Sequence, residues 1–316
     1  MTFTTRRKIL ASVAAAAALP LVNDLTGNGS QAVAEDSTGS GTVEFSSNTA
    51  LYSSSAFKEG EDWMRRFQCS PRPGFADNLR NTTGPIRSTA VIAPHGGSIE
   101  AGTSELCLAI AGYDHSADPV TELQDKLPAA VPGAVQRDYW MFEALRNGGP
   151  QHVTSTHCDD PAALAVCANN LYAVSLHGFS PDEGPAKQIL IGGRDQRLMH
   201  NLAWAFDKYG FKPGNDTSAP LSVTVTIAAP NTRINGDDPA NIVNRTRTGA
   251  GAQLEISTEL RKAMFLSWDS AANRRSGAGK GDQNQAHFWN GFVSAVREAM
   301  HVHELGLANA EPPTGA

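Results

Sequence analysis

The sequence lacks the devices that mark several common enzyme classes. It has no Gly-x-Ser-x-Gly elbow, no phosphate loop and no dinucleotide fingerprint. A serine hydrolase of the elbow type, a P-loop nucleotidase and a dinucleotide oxidoreductase are therefore not indicated. Cysteine is scarce: Cys69, Cys107, Cys158 and Cys167 are the whole set, with no Cys-x-x-Cys pair. That argues against a thiolate zinc site. No apolar run reaches the roughly 20 residues that a spanning helix needs. Excess positive charge is also missing, since the chain carries a net −6. A general nucleic-acid binder would show a basic face, so none is expected.

What is present begins with an address rather than a fold. Thr5-Arg6-Arg7-Lys8-Ile9-Leu10 forms a twin-arginine pattern, followed by an apolar stretch from Ile9 to Val22 and the small residues Ala32-Val33-Ala34. Residues 1–34 are predicted to be a Tat export signal, which places the product outside the cytoplasm, secreted or in the cell envelope, with no stable membrane span after removal. Arg6, Arg7 and Lys8 against Asp24 give this segment +2, so its loss takes −6 to −8. Export permits disulfides, and Cys158 with Cys167 is the pair favoured by proximity. Residues 35–50, rich in Ser, Gly and Thr, read as a flexible leader. The folded domain is expected over 51–310, with 311–316 as a tail.

At 316 residues, with 41% hydrophobic and 18% charged residues, the chain can bury a substantial core. Its 29 glycines and 18 prolines predict many tight turns. Short apolar runs at 88–93, 171–176, 188–191, 222–228 and 253–256 read as strands, most of them closed by glycine. Helical spacing appears at 195–209 and 285–304, and Thr103 is a predicted N-cap for a helix ending before Gly112. Strands alternating with helices predict a single α/β domain: a mostly parallel or mixed central sheet with helices on both faces.

Two histidines close predicted strands, His95 before Gly96-Gly97 and His177 before Gly178. Sites in open α/β sheets form outside the carboxyl ends of strands, so these two are expected to meet. Catalytic zinc usually takes three protein ligands and keeps one position open. Glu100 lies five residues after His95, a step that needs a turn, and the two glycines supply one. In Gln253-Leu254-Glu255-Ile256, the strand period puts Gln253 and Glu255 on one face. A carboxylate in an otherwise apolar strand is costly unless paired or used, and Glu255 is the candidate general base. Arg194, Asn244 and Arg245 are candidates to hold a substrate carboxylate or polarise a carbonyl. His152 and His157 read as a strand-like run, so that at most one reaches the site, His157 being the candidate.

At these residues the chain resembles the poly-gamma-glutamate hydrolase family, related to phage depolymerases and similar in fold to zinc carboxypeptidases. The matching pieces are Ala93-Pro94-His95-Gly96-Gly97-Ser98-Ile99-Glu100, Gly102 to Leu106, Ser175-Leu176-His177-Gly178, Ile191-Gly192-Gly193, Asn244-Arg245 and Gln253 to Ser257. The resemblance implies one zinc ion on His95, Glu100 and His177, Glu255 as catalytic carboxylate, and Arg245 at the substrate site. It implies cleavage of γ-glutamyl amide bonds, with poly-glutamate or other glutamate-rich amides as partners. The export signal departs from phage relatives and leaves capsule, slime polymer and cell-wall γ-glutamyl links open as substrates. Two other readings stay open: a metal-dependent deacylase or peptidase on small amino-acid derivatives, and a non-catalytic secreted binding protein. A chain at −8 repels polyglutamate beyond roughly 8–10 Å only weakly in salt. A polyanion hydrolase therefore needs a local basic groove, with Arg194, Arg197, Arg233, Arg245, Arg247 and Arg261 as candidates.

Overall fold

β-branched and apolar runs closed by glycine build the centre of the molecule. The computed structural model describes residues 45–69, 88–116, 128–146, 148–214, 221–230 and 232–306. The predicted export signal, most of the leader and the tail 311–316 lie outside these residues.

Seven strands form one mixed sheet: β1 (Trp63–Gln68), β2 (Thr89–Gly97), β3 (Tyr139–Ala144), β4 (Tyr172–Phe179), β5 (Gln188–Gly193), β6 (Thr224–Ile227) and β7 (Ala252–Ser257), in the order β1-β3-β2-β4-β7-β5-β6. The central strands β3, β2, β4 and β7 run parallel, and β5 pairs with β6 in parallel. The pairs β1 with β3 and β5 with β7 are antiparallel. Strands β1 and β3 were not expected from the sequence.

Alternation along the central strands divides the core. Val91, Ala93, Val174, Leu176, Leu254 and Ile256 pack on α2 (Thr103–Ala111), α4 (Gln196–Lys208) and α7 (Gln283–Glu304). Ala90, Ile92 and Ala173 face the other way, onto Leu51 of α1 (Asn48–Tyr52) and Ala163, Val166 and Cys167 of α3 (Pro161–Ala168). Helices thus cover both faces, as the period-2 patterns require. Two further short helices are α5 (Thr258–Lys262) and α6 (Ala271–Gly277).

Local chemistry sets the helix ends. Asp282 accepts from Gln285 N while the Gln285 side chain accepts from Asp282 N, a reciprocal capping box at the start of α7. Asp195 caps α4 by accepting from Leu198 N. Thr103 is the first residue of α2 rather than its cap; Gly102, at φ 97°, holds the cap position. Ahead of Leu51, Ser47 caps α1, and Phe45 packs edge-on to Phe57. All four cysteines are free thiols. Cys158 and Cys167 sit buried in the same apolar cluster as separate groups, so proximity in sequence does not make them a disulfide. Burial pushes the Cys167 thiol up to about 12, which leaves it an apolar filler.

One irregularity positions the site. Ala93 faces Met141 and Gly96 faces Glu143, three steps along β2 against two along β3. This is a β-bulge centred on Pro94-His95, where proline's missing N–H is tolerated. Strict alternation would send His95 to the side of Val91 and Ala93. The extra residue turns it to the opposite side, where Ser175 and His177 point.

Candidate metal centre

The bulge delivers the His95 ring to the end of β4. His177 lies within β4, two residues beyond Ser175, and pairs with Glu255 of β7 across the sheet. The segment after His95 turns back through Gly97, at φ 71°, and is closed by a bond from Glu100 N to His95 O at 2.8 Å. A side chain at 97 is excluded on two counts, since a Cβ there would lie 2.1 Å from Ala144 O. The turn therefore does what the glycine pair predicted, and Glu100 returns to the histidine.

The three side chains meet. His95 Nδ1 is 2.8 Å from Glu100 Oε1 and 3.1 Å from His177 Nδ1. His177 Nδ1 is 3.6 Å from Glu100 Oε2. One ligand atom from each lies within 4.8 Å of the others, and all three residues are buried. Their outer contacts settle which nitrogens face inward. His95 Nε2 donates to Val153 O at 2.9 Å, so Nδ1 is the nitrogen turned toward Glu100. His177 Nε2 meets Ser175 Oγ at 2.8 Å, with Ser155 Oγ at 3.5 Å. Orienting bonds on the far ring nitrogen are the usual support of metal-bound histidine. Glu100 Oε2 is buried without a hydrogen bond. Two imidazole nitrogens and a carboxylate converging on one point, with an orphaned oxygen among them, fit a zinc ion.

Charge in the cluster follows from burial and neighbours. Burial opposes ionisation of Glu100, but His95 and His177 outweigh it and hold the carboxyl well below its usual range. Glu255 moves the other way: burial, then the nearby Glu100 charge, raise it well above the usual carboxylate value. Two carboxyls with opposite tendencies share one site, the pattern that separates a ligand from a proton carrier. Glu255 Oε1 accepts from Gln253 Nε2 at 2.8 Å, and Gln253 Oε1 accepts from Asn241 Nδ2 at 2.9 Å. The expected face of Gln253 and Glu255 is thus the observed one, a polar row beside the histidines.

Other candidates are sorted differently. His152, not His157, approaches the site; its ring centroid lies 4.1 Å from that of His95. The segment is not a strand but two 3-10 turns, Gly149–Gln151 and Ser155–His157, so strand alternation does not apply. Burial, then the adjacent His95, lower His152 to about 3, so it presents a neutral ring. Asn244 is buried and spent on the scaffold: Nδ2 donates to Gly236 O and Asp238 O, and Oδ1 accepts from Gly251 N. Arg245 follows it on the surface, where its backbone N donates to Ile242 O and its side chain is exposed, with no side-chain hydrogen bond or ion pair among the described residues. Arg194 is exposed and donates to Asp237 O at 3.1 Å. Because β5 runs antiparallel to β7, Arg194 emerges at the start of β7 rather than beside Glu255.

The expected basic groove is divided. Arg197 donates to His303 O, and its neighbour Glu304 bonds Thr89 at the first residue of β2, the far end of the sheet. Arg261 is buried, whereas Arg233, Arg245 and Arg247 are exposed. A cavity beside the site was not read from sequence. It measures about 600 Å³, borders the ligand loop at Gly97, Ser98 and Ala101, and is lined by Arg146, Arg274 and Arg275 together with Glu61, Glu143 and Asp269. Scattered arginines at 146, 274 and 275 carry no spacing signal by which to find them.

Comparison with known proteins agrees with this geometry. The profile of the poly-gamma-glutamate hydrolase family matches residues 77–127 and 119–290. The SPbeta prophage-derived UPF0714 protein YoqZ of Bacillus subtilis (strain 168) is 30% identical over 233 residues, 73% of this chain and 68% of that one. UPF0714 protein YndL of the same organism is 31% identical over 179 residues, 55% of each chain, so the likeness spans about half its length. Among solved structures, a bacteriophage poly-gamma-glutamate hydrolase superposes with a TM-score of 0.57 at 24% identity, over 82% of this chain and 97% of that one. Zinc-free YndL gives 0.55 at 24% identity, over 81% and 98%. At that identity the two superpositions establish the fold.

Proposed function

This chain belongs to the poly-gamma-glutamate hydrolase family, and from that premise we propose that it is an exported, zinc-dependent amidohydrolase cleaving γ-glutamyl amide bonds in poly-gamma-glutamate. The observation that carries the reading is the buried His95–Glu100–His177 cluster, with both Nδ1 atoms turned inward and Glu255 on the adjacent strand. Zinc held there supplies Lewis acidity, polarising the scissile carbonyl and lowering the pKa of a water toward ~7.

The chain's own residues do the rest. Glu255 takes the proton from the attacking water and passes it to the departing amine, so that amide and water become carboxylate and amine. Its raised pKa suits the second transfer, and Gln253 fixes the Oε1 atom while it acts. The exposed guanidinium of Arg245 is the candidate clamp for a glutamyl carboxylate. The cavity of about 600 Å³ beside the ligand loop offers room for more than a small amino-acid derivative. The Arg6-Arg7 pattern supports passage by the twin-arginine route.

Glu255→Gln is expected to keep zinc while losing at least about a hundredfold in kcat, the usual scale of general acid–base contributions. Metal analysis together with digestion of poly-γ-glutamate tests it. Near-wild-type release of glutamate oligomers by that variant would remove Glu255 from the mechanism. Metal content with no cleavage by the wild-type protein would favour the binding-protein reading, and turnover confined to small γ-glutamyl compounds the deacylase reading.

A further inference from the structure

We propose that Arg261 is the positioning residue that holds the two ligand-bearing segments and the Glu255 strand in mutual register. Arg261 lies in α5 and is 2% exposed. Its Nη1 donates to Ala101 O at 2.8 Å, its Nε to Ile256 O at 3.0 Å and its Nη2 to Thr258 Oγ1 at 3.1 Å. Ala101 follows Glu100, and Ile256 follows Glu255. The guanidinium also sits against Gly178, which follows His177: a Cβ at 178 would lie 2.3 Å from Arg261 Cζ. One cation thus touches the residue after each of Glu100, His177 and Glu255.

The contacts are of a kind that only arginine makes. Its planar fork sends several N–H donors to separate acceptors at fixed angles, whereas lysine offers one nitrogen on a flexible stem. The acceptors are the carbonyls of Ala101 and Ile256, on segments far apart in sequence, and the Thr258 hydroxyl beside the second, while Gly178 packs against the fork without accepting from it. Loss of the fork frees the segments to shift relative to one another. The ligand atoms would then no longer converge, although the apolar cores on both faces of the sheet remain. Arg261 touches no reacting atom, so its effect passes through the geometry of its neighbours.

This inference rests on the zinc reading above, and the test separates the two. Arg261→Lys and Gly178→Ala disturb the same contact from its two sides. Arg137→Lys is the control, because Arg137 is equally buried but pairs with Glu304 near the first residue of β2, away from the ligands. For each protein, zinc affinity is measured by competition with a chromophoric chelator, kcat and KM on poly-γ-glutamate, and melting of the metal-free form by circular dichroism. Arg261→Lys and Gly178→Ala should each lose about tenfold to a hundredfold in zinc affinity and in kcat, with little change in KM. Arg137→Lys should melt lower yet keep wild-type zinc affinity. Wild-type affinity and kcat in both site variants overturn the proposal, as does an equal loss of affinity in Arg137→Lys. Wild-type protein that binds no zinc overturns the zinc reading and this one with it. If it binds zinc but cleaves nothing, only the hydrolase reading falls, and the affinity arm still decides Arg261.

Discussion

A single hydroxyl governs how His177 presents itself. Ser175 Oγ meets His177 Nε2 at 2.8 Å and leaves Nδ1 to face Glu100 and His95. Ser175→Ala should therefore lower zinc affinity by roughly tenfold to a hundredfold without changing the circular-dichroism spectrum. Unaltered affinity in chelator competition would reduce Ser175 to a packing role. At this scale the sequence was informative where a residue broke its own pattern. Glu255 stands out as a carboxylate in an apolar strand, and alternation alone put it beside Gln253. His95 and Glu100 stand out through the glycines between them. His152 does not, because its approach to His95 depends on two 3-10 turns that carry no period. Asn244 carries the same Asn-Arg signature whether its amide faces substrate or, as here, ties down Gly236, Asp238 and Gly251. Arg261 read as a candidate for the basic groove, since a buried guanidinium is recognisable only once its three carbonyl and hydroxyl acceptors have been brought around it.

Elements were legible where their ends carried chemistry. The α7 helix was legible by its apolar stripe over 285–304, and the structure adds a capping box of Asp282 and Gln285 at its start. Asp282→Ala should cost about 1 kcal/mol. For a domain of this size that is a melting-temperature drop of roughly 2–4 °C, read by thermal circular dichroism, with kcat unchanged. Strands β1 and β3 were missed for opposite reasons. In Trp63–Gln68 two adjacent arginines spoil the alternation, and one of them, Arg66, is buried against Glu143 at 3.3 Å. In Tyr139–Ala144 every residue is buried, so there is no alternation to see. The bulge was also invisible. Pro94-His95-Gly96 reads as the end of a strand, but the ladder resumes at Gly96 and Gly97, and only the partner strand reveals the extra residue.

The whole molecule couples the site to stability. Buried ligands converge on a point that zinc fills, so binding to the folded form alone must raise its stability. At a hundredfold excess over Kd, zinc should add about 2.7 kcal/mol. That corresponds to roughly 5–11 °C in a domain of this size, measured by calorimetry with and without chelator. An unmoved midpoint would sink the site. The sheet order, with its antiparallel β1 and β5, could not be read from alternating strands and helices, which predict only that a sheet forms. The last helix adds a dimension of time. Glu304, at the end of α7, bonds Thr89 at the first residue of β2, 215 positions away, and pairs with Arg137 across 167. The apolar face of that helix fills one side of the sheet. A ribosome must therefore have made the chain through Glu304 before this side of the core can close. Until then the strands that carry His95 and His177 wait with one face bare. Closure of that face is thus expected only after Glu304 has been made, and the apolar strands before it stay open to aggregation until then.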